Sequence, residues 1–257
     1  MKNLVKIAEH NANSENTWQK GVNQFTDLTD AEFEAIYLTL RVPLKTSPYI
    51  EKIETPSNGD IDWSAAGFVT RVKNQGACGS CWAFSATGAL ESAIIVSDKG
   101  QKPDLSEQDL VDCSRNYGNM GCNGGWMDSA FNYIKDNGIA TENDYPYTAR
   151  DGSCQNVARA QKLVNFVDVP GCANLRNALD KQPIAVAVDA SIWSSYRSGV
   201  MNNCGTAINH GVLVVGASDD FWKIKNSWGN GWGEGGYIRL APGSTCAVCD
   251  YPSYPVV

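Results

Sequence analysis

The chain has 257 residues, 43% of them hydrophobic and 19% charged, which suffices for a buried core and is unlike a disordered tail. A net charge of −7 argues against nucleic acid or an anionic membrane as partner, and no run approaches the ~18 apolar residues of a membrane span. Nine cysteines point to an oxidising compartment, and the odd number leaves at least one thiol without a partner in the chain.

In chain order, residues 1–40 read as a charged helical arm. Its start, "MKNLVKIAEH", lacks the apolar core of a secretion signal, so a truncated start with the signal upstream is the expectation. The stretch "DLTDAEFEAIYL" predicts a helix capped by Thr29, with Glu32 at capping-box spacing. Residues 41–59 carry three prolines and little periodicity, which marks an extended linker and a boundary. A helix over Cys81 to Val96 is apolar on nearly every face (Ala83, Phe84, Ala86, Leu90, Ala93, Ile94) and belongs inside a core. Ser106 and Asp109 open another helix, and Met127, Ala130, Phe131 and Ile134 keep helical spacing up to Gly138, a C-cap. Beyond about residue 161, "KLVNFVDV", "PIAVAVDA", "INHGVLVVGAS", "FWKIKNSW" and "GGYIRLA" predict successive strands of an antiparallel sheet or barrel. The fold class is therefore α+β. An arm and linker over 1–57 precede a domain over 58–257, with a helical lobe at about 64–160, a β lobe at about 161–257 and a cleft between them.

Chemistry concentrates in "QGACGSCWAF", where Cys78 and Cys81 form a CxxC pair. A zinc ribbon wants its second pair ~15–20 residues away, but Cys246/Cys249 begins 165 residues after Cys81 (246 − 81), and His10 and His210 are the chain's two histidines. A thioredoxin-like redox pair needs a βαβ setting that the strand pattern does not supply. A reactive thiol fits better, because a helix N-terminus presents unpaired amides and a dipole that favour a thiolate at Cys81. A base is available in His210, 129 residues on (210 − 81), and Asn226 lies one hairpin further, in reach to hold the ring. A lone strand histidine is more often a satisfied core residue; these partners argue otherwise.

Five blocks, "NQGACGSCWAFSATGALE", "LSEQDLVDC", "GCNGGWM", "NHGVLVVG" and "KNSWGNGWGEGGYIRL", occur in this order. With them the chain resembles the papain-like cysteine proteases, and cathepsin L-like endopeptidases in particular, over essentially its whole length. The resemblance implies the two-lobed papain-like fold, with Cys81 as nucleophile, His210 as general base and acid, Asn226 as the group orienting the ring, and Gln75 with the Cys81 amide as oxyanion donors. It implies a thiolate–imidazolium pair, an acyl-enzyme, and no metal or organic cofactor. Trp228 would shield the Asn–His hydrogen bond. Disulfides Cys78–Cys122, Cys113–Cys154 and Cys204–Cys246 are implied, while Cys172 and Cys249 stay open between a fourth bridge and two reduced thiols. Gly124 and Gly125 would pair with substrate backbone. Trp126, Met127, Ile208, Asn209 and Tyr251 would line the pocket for the second residue before the cleaved bond, with bulky Tyr251 favouring Val or Leu over Phe. The absence of a histidine-bearing insertion between Cys81 and Cys122 favours an endopeptidase over an exopeptidase.

The segment "GVNQFTD" (Gly21, Asn23, Phe25, Asp27), together with Asn3, Ile7 and Asn11, resembles part of the family's inhibitory propeptide. By that resemblance the arm docks on the enzyme and runs backwards through the cleft, and cleavage near Thr55–Asp60 releases it. Protonation of Asp27 and neighbouring carboxylates is the expected acid trigger. Implied partners are polypeptide substrates, the chain's own propeptide and cystatin-type inhibitors, with no nucleic acid and no membrane, for a monomer in a lysosome, vacuole or secretion. The alternatives are a catalytically silent papain-fold binding or storage protein and an inhibitor in which the arm dominates.

Overall fold

The structure is a computed structural model that describes residues 2–43, 59–98 and 101–257. Residues 44–58 of the predicted linker, and with them the Thr55–Asn58 part of the expected cleavage stretch, lie outside them. In the arm, helix α1 (Lys2–Ala12) leads to strand β1 (Trp18–Lys20) and helix α2 (Asp30–Tyr37). Thr29 caps α2 as the sequence predicts, and Glu32 reaches back to the cap in a full capping box.

The main domain opens with β2 (Ile61–Asp62) and the helices α3 (Cys81–Ser97), α4 (Glu107–Cys113) and α5 (Met127–Asn137). Every residue of α3 from Cys81 to Ile95 is buried, as a helix apolar all round requires. Ser106 caps α4 by accepting the Asp109 amide, and Gly138 ends α5 at φ +82°, a conformation that favours glycine. Then follow β3 (Asn165–Asp168), α6 (Cys172–Leu179), β4 (Ile184–Val188), β5 (Tyr196–Met201), β6 (His210–Ala217), β7 (Trp222–Lys225), β8 (Tyr237–Leu240) and β9 (Ser253–Val256).

The strands form one sheet in the order β1-β5-β8-β7-β6-β4-β9-β3, with β2 also paired to β6. Two expectations need correction. The sheet is not wholly antiparallel, because β5 and β8 pair in parallel. Helix α6 also interrupts the run of strands. Strand β5, "YRSGVM", mixes charge, Ser and Gly and so carries no alternating signal, and β1 and β2 are too short to register.

Strand β4 reads IAVAV without polar alternation because both its faces are covered. Ala185 and Ala187 pack with α3, α4 and α5, whereas Ile184, Val186 and Val188 pack into the β lobe's own core. Strand β6 divides in the same way, with Leu213 and Val215 on the helical side. Ser85 of α3 donates to the Val212 carbonyl at 2.7 Å, pinning helix to strand. This packing sets the N-terminus of α3 beside the start of β6, and hence Cys81 beside the His210 segment.

Four disulfides close the chain. Cys78–Cys122, Cys113–Cys154 and Cys204–Cys246 are those the resemblance implies, and Cys172–Cys249 resolves the pair left open. Loops of 41 to 77 residues make each worth roughly 4 kcal/mol by chain entropy. Cys81 alone is a free thiol, and it is buried. A Cys78/Cys81 redox pair is thereby excluded.

Candidate active site

Cys81 is the first residue of α3, and the amides of Gly211, Trp82, Thr39 and Cys81 itself face its sulfur. Gly211 directly follows His210, so the thiol lies beside the histidine's segment across the lobe boundary, and His210 Nδ1 has no hydrogen-bond partner among the described residues. His210 is fully buried, and its Nε2 lies 2.8 Å from Asn226 Oδ1. That oxygen also accepts the Ser227 amide at 2.8 Å, which identifies it as the acceptor. The ring nitrogen must then donate, so Nε2 carries the proton and Nδ1 is left as the basic nitrogen. Trp228 covers this pair with its ring centroid 4.7 Å from the imidazole, and is itself 1% exposed.

Gln75 is fully buried. Ser227 Oγ donates to its Oε1 at 2.7 Å, and its Nε2 donates to the Cys78 carbonyl at 3.0 Å. The other hydrogen of Gln75 Nε2 has no acceptor among the described residues. The Gln75 amide donates to the Ser227 carbonyl at 2.9 Å, so the loop carrying Gln75 and the loop carrying Asn226 are stitched across the lobes.

The arm lies over this machinery. The Tyr37 carbonyl faces the His210 ring and the Thr39 amide faces the Cys81 sulfur. Thr39 Oγ1 donates to the Gly79 carbonyl at 2.9 Å. The Leu40 amide then donates to the Asn209 carbonyl at 3.1 Å and the Arg41 amide to the Gly125 carbonyl at 3.2 Å. The sulfur thus meets an N–H of the arm. Gly124, at φ +110°, has the Thr39 carbonyl where a side chain would begin, so only glycine admits this close backbone approach. Leu40, 6% exposed, joins the apolar cluster containing Trp126 and Met127, with Ile208 and Tyr251 packed against it. Tyr251 stands edge-on to Trp126 at 5.5 Å. One expected wall residue differs: the Asn209 side chain is tied to the Ala190 amide and Ser191 Oγ, so Asn209 offers the cleft its carbonyl and not its side chain.

Burial opposes charge on both groups. It pushes the Cys81 thiol up to about 11, against the lowering effect of the surrounding amides. It pushes His210 down to about 4, against the raising effects of Asn226 and the Tyr37 carbonyl. Both shifts favour the uncharged thiol and imidazole while the cleft is covered. Water excluded by the arm is the reason, since a charge at either group would go unsolvated.

The arm holds on by adding an edge strand and an aromatic plug. Strand β1 pairs antiparallel with β5, Trp18 opposite Gly199. Gly21 packs where a Cβ would press on the Arg197 side chain, and Asn23 Nδ2 donates to the Ser194 carbonyl at 2.8 Å. Phe25 sits 5.3 Å from Trp228 and 5.1 Å from Phe33. Asn3 donates to the carbonyls of Thr26 and Leu28, and Asn11 brackets Lys20, so the spaced residues of α1 face this turn. Asp27 differs from the expectation: it is exposed, with no ion pair among the described residues.

Comparison with known proteins matches residues 57–256 to the papain family cysteine proteases. The chain belongs to the papain family of cysteine proteases. Residues 1–33 match the cathepsin propeptide inhibitor domain. Cathepsin L 2 of Paramecium tetraurelia is 49% identical over 247 residues, covering 94% of this chain and 78% of that protein. Cathepsin S of Bos taurus is 42% identical over 279 residues, covering 100% of this chain and 84% of that protein. Among solved structures, digestive procathepsin L 3 of Tenebrio molitor larval midgut superposes with a TM-score of 0.91 at 40% identity, covering 100% of this chain and 89% of that one. This papain-family member is therefore a cathepsin L-like protease zymogen, and the proenzyme neighbours support inhibition by its own propeptide. No helix among the described residues is long and apolar enough to cross a membrane.

Sequence reasoning missed Leu40, Ser227 and Tyr147. Leu40 and Tyr147 lie outside the five blocks, Ser227 lies inside "KNSWGNGWGEGGYIRL" without a role assigned there, and each matters through what folds against it.

Proposed function

We propose that Cys81 is the nucleophile of an endopeptidase, with His210 as general base and acid, Asn226 as its orienting partner, and Gln75 Nε2 and the Cys81 amide as oxyanion donors. The observation carrying this reading is the convergence of the single free thiol, the Asn226-held imidazole and the Gln75 amide at one lobe boundary. Once the arm leaves, water and the α3 N-terminus favour a thiolate, and His210 Nδ1 accepts the thiol proton. The thiolate attacks the peptide carbonyl, forming a C–S bond as the C=O electrons move to oxygen between the two donors. Collapse breaks the C–N bond while the imidazolium protonates the departing amine. His210 then takes a proton from water, whose hydroxide adds to the thioester and releases acid and thiol.

We assign residues 1–57 to propeptide and linker and 58–257 to the catalytic part, with substrate backbone on Gly124 and Gly125. The paired half-cystines accord with a lysosome-like, vacuolar or secreted setting. Cystatin-type inhibitors are expected to enter the arm-free cleft, and the enzyme is expected to act as a monomer. A peptidyl epoxide tests the nucleophile: after arm removal it should label Cys81 alone and abolish hydrolysis. Labelling elsewhere, or full activity in Cys81→Ser, would refute the assignment. The pocket that holds Leu40, edged by Tyr251, supports a preference for Leu or Val over Phe at the second position before the bond. A peptide library in which Phe is turned over as well as Leu would overturn it.

A further inference from the structure

Ser80 is the N-cap of helix α3, and a serine at that position normally accepts an amide of the first turn. Here its hydroxyl makes no such cap. Ser80 Oγ instead lies 2.6 Å from the phenolic oxygen of Tyr147, which lies 2.7 Å from the Gln75 carbonyl. A carbonyl can only accept, so Tyr147 donates to Gln75, and Ser80 must therefore donate to Tyr147. The direction of this chain has two consequences. The Trp82 amide is left without a side-chain cap, and it faces the sulfur together with the Cys81 amide. The Gln75 peptide is clamped at both ends, its carbonyl by Tyr147 and its amide on Ser227. The phenol is steadied by Phe84, edge-on at 4.9 Å, and the Tyr147 amide donates to Glu142 at 3.0 Å.

We propose that Tyr147 is a positioning residue of the oxyanion pocket, its hydroxyl bridging Gln75 and Ser80 and so setting the distance between Gln75 Nε2 and the Cys81 amide. This rests on the reading that those two groups are the oxyanion donors. Tyr147 touches neither substrate nor sulfur; it acts through the two segments it joins. Its removal should loosen one donor without deleting it, and so cost less than the ~10²–10³ in rate of a lost donor.

The test compares Tyr147→Phe, Gln75→Ala and the double variant, each made as the full chain and freed of its arm by a trace of the parent enzyme. Tyr147→Phe is expected to lower kcat about tenfold, with KM within about twofold and the pH profile of Cys81 alkylation by iodoacetamide unmoved. In the Gln75→Ala background the same change should cost less than about twofold, because nothing is left to position. Ser80→Ala, which keeps the Tyr147 ring in place, should act in the same direction at about threefold, again only with Gln75 present. An equal tenfold loss with and without Gln75, a loss confined to KM, or no loss at all would overturn the proposal while leaving the oxyanion reading intact. A Gln75→Ala enzyme as active as the parent would bring down that reading, and this proposal with it.

Discussion

Replacing Phe25 by Ala should unlatch the zymogen. The ring is 4% exposed and packs against Phe33 at 5.1 Å, Tyr37 at 4.8 Å and Trp228 at 5.3 Å. Truncating a buried Phe costs about 3–5 kcal/mol. Phe33 and Tyr37 belong to the arm and Trp228 to the catalytic part, so the loss divides between folding of the arm and its docking. Either loss opens the cleft. Because every 1.4 kcal/mol is tenfold in an equilibrium, about 3 kcal/mol raises the open fraction roughly 10²-fold. The readout is the second-order rate at which a peptidyl epoxide labels Cys81 in the intact chain at pH 7, where the closed form keeps the thiol buried. Labelling should speed up by about 10²-fold in Phe25→Ala. A folded variant labelled within threefold of the parent rate would refute the view that this plug holds the arm down.

The acid response should run through His10 rather than Asp27. His10 donates from Nε2 to the Trp18 carbonyl at 3.0 Å with its ring 4.2 Å from Trp18, and burial, with a smaller effect of Lys20, holds its pKa below 6.5. The docked arm then binds fewer protons than a released one, so the stability it contributes is full above about pH 6.5 and fades as the pH falls below it. Arm release between pH 7 and 5, followed by electrophoresis, should accelerate in the parent and much less in His10→Gln; equal acceleration would contradict the assignment. Lys73→Met should destabilise the catalytic part by about 3–5 kcal/mol, because Lys73 Nζ bridges Glu91 at 2.9 Å and Glu107 at 2.7 Å in the interior and their charges would lose that counterion. Urea unfolding that moves by less than 1 kcal/mol would contradict this.

Local patterns made the helices and several strands readable. The Thr29 capping box, the Gly138 stop and the all-apolar face of α3 each depend on residues within a few positions of one another. The five motif blocks pointed to Cys81, His210, Asn226 and Gln75, because the chemistry tolerates few residue types at those places. Strand β5 was not readable, since its pairing with β1 and β8 supplies what its polar sequence lacks.

Other features came from tertiary packing alone. The Cys172–Cys249 bond joins segments 77 residues apart, and nothing local distinguishes two paired thiols from two reduced ones. The shifts of Cys81 and His210 belong to the same class, as residue type sets their ordinary values and burial moves both toward the uncharged form. Sequence determined which groups are present, because reactivity and local geometry reside in single residues and short runs. Only the folded chain decided which of them are covered, charged or braced, because solvation and hydrogen-bond direction depend on neighbours brought from far along the chain.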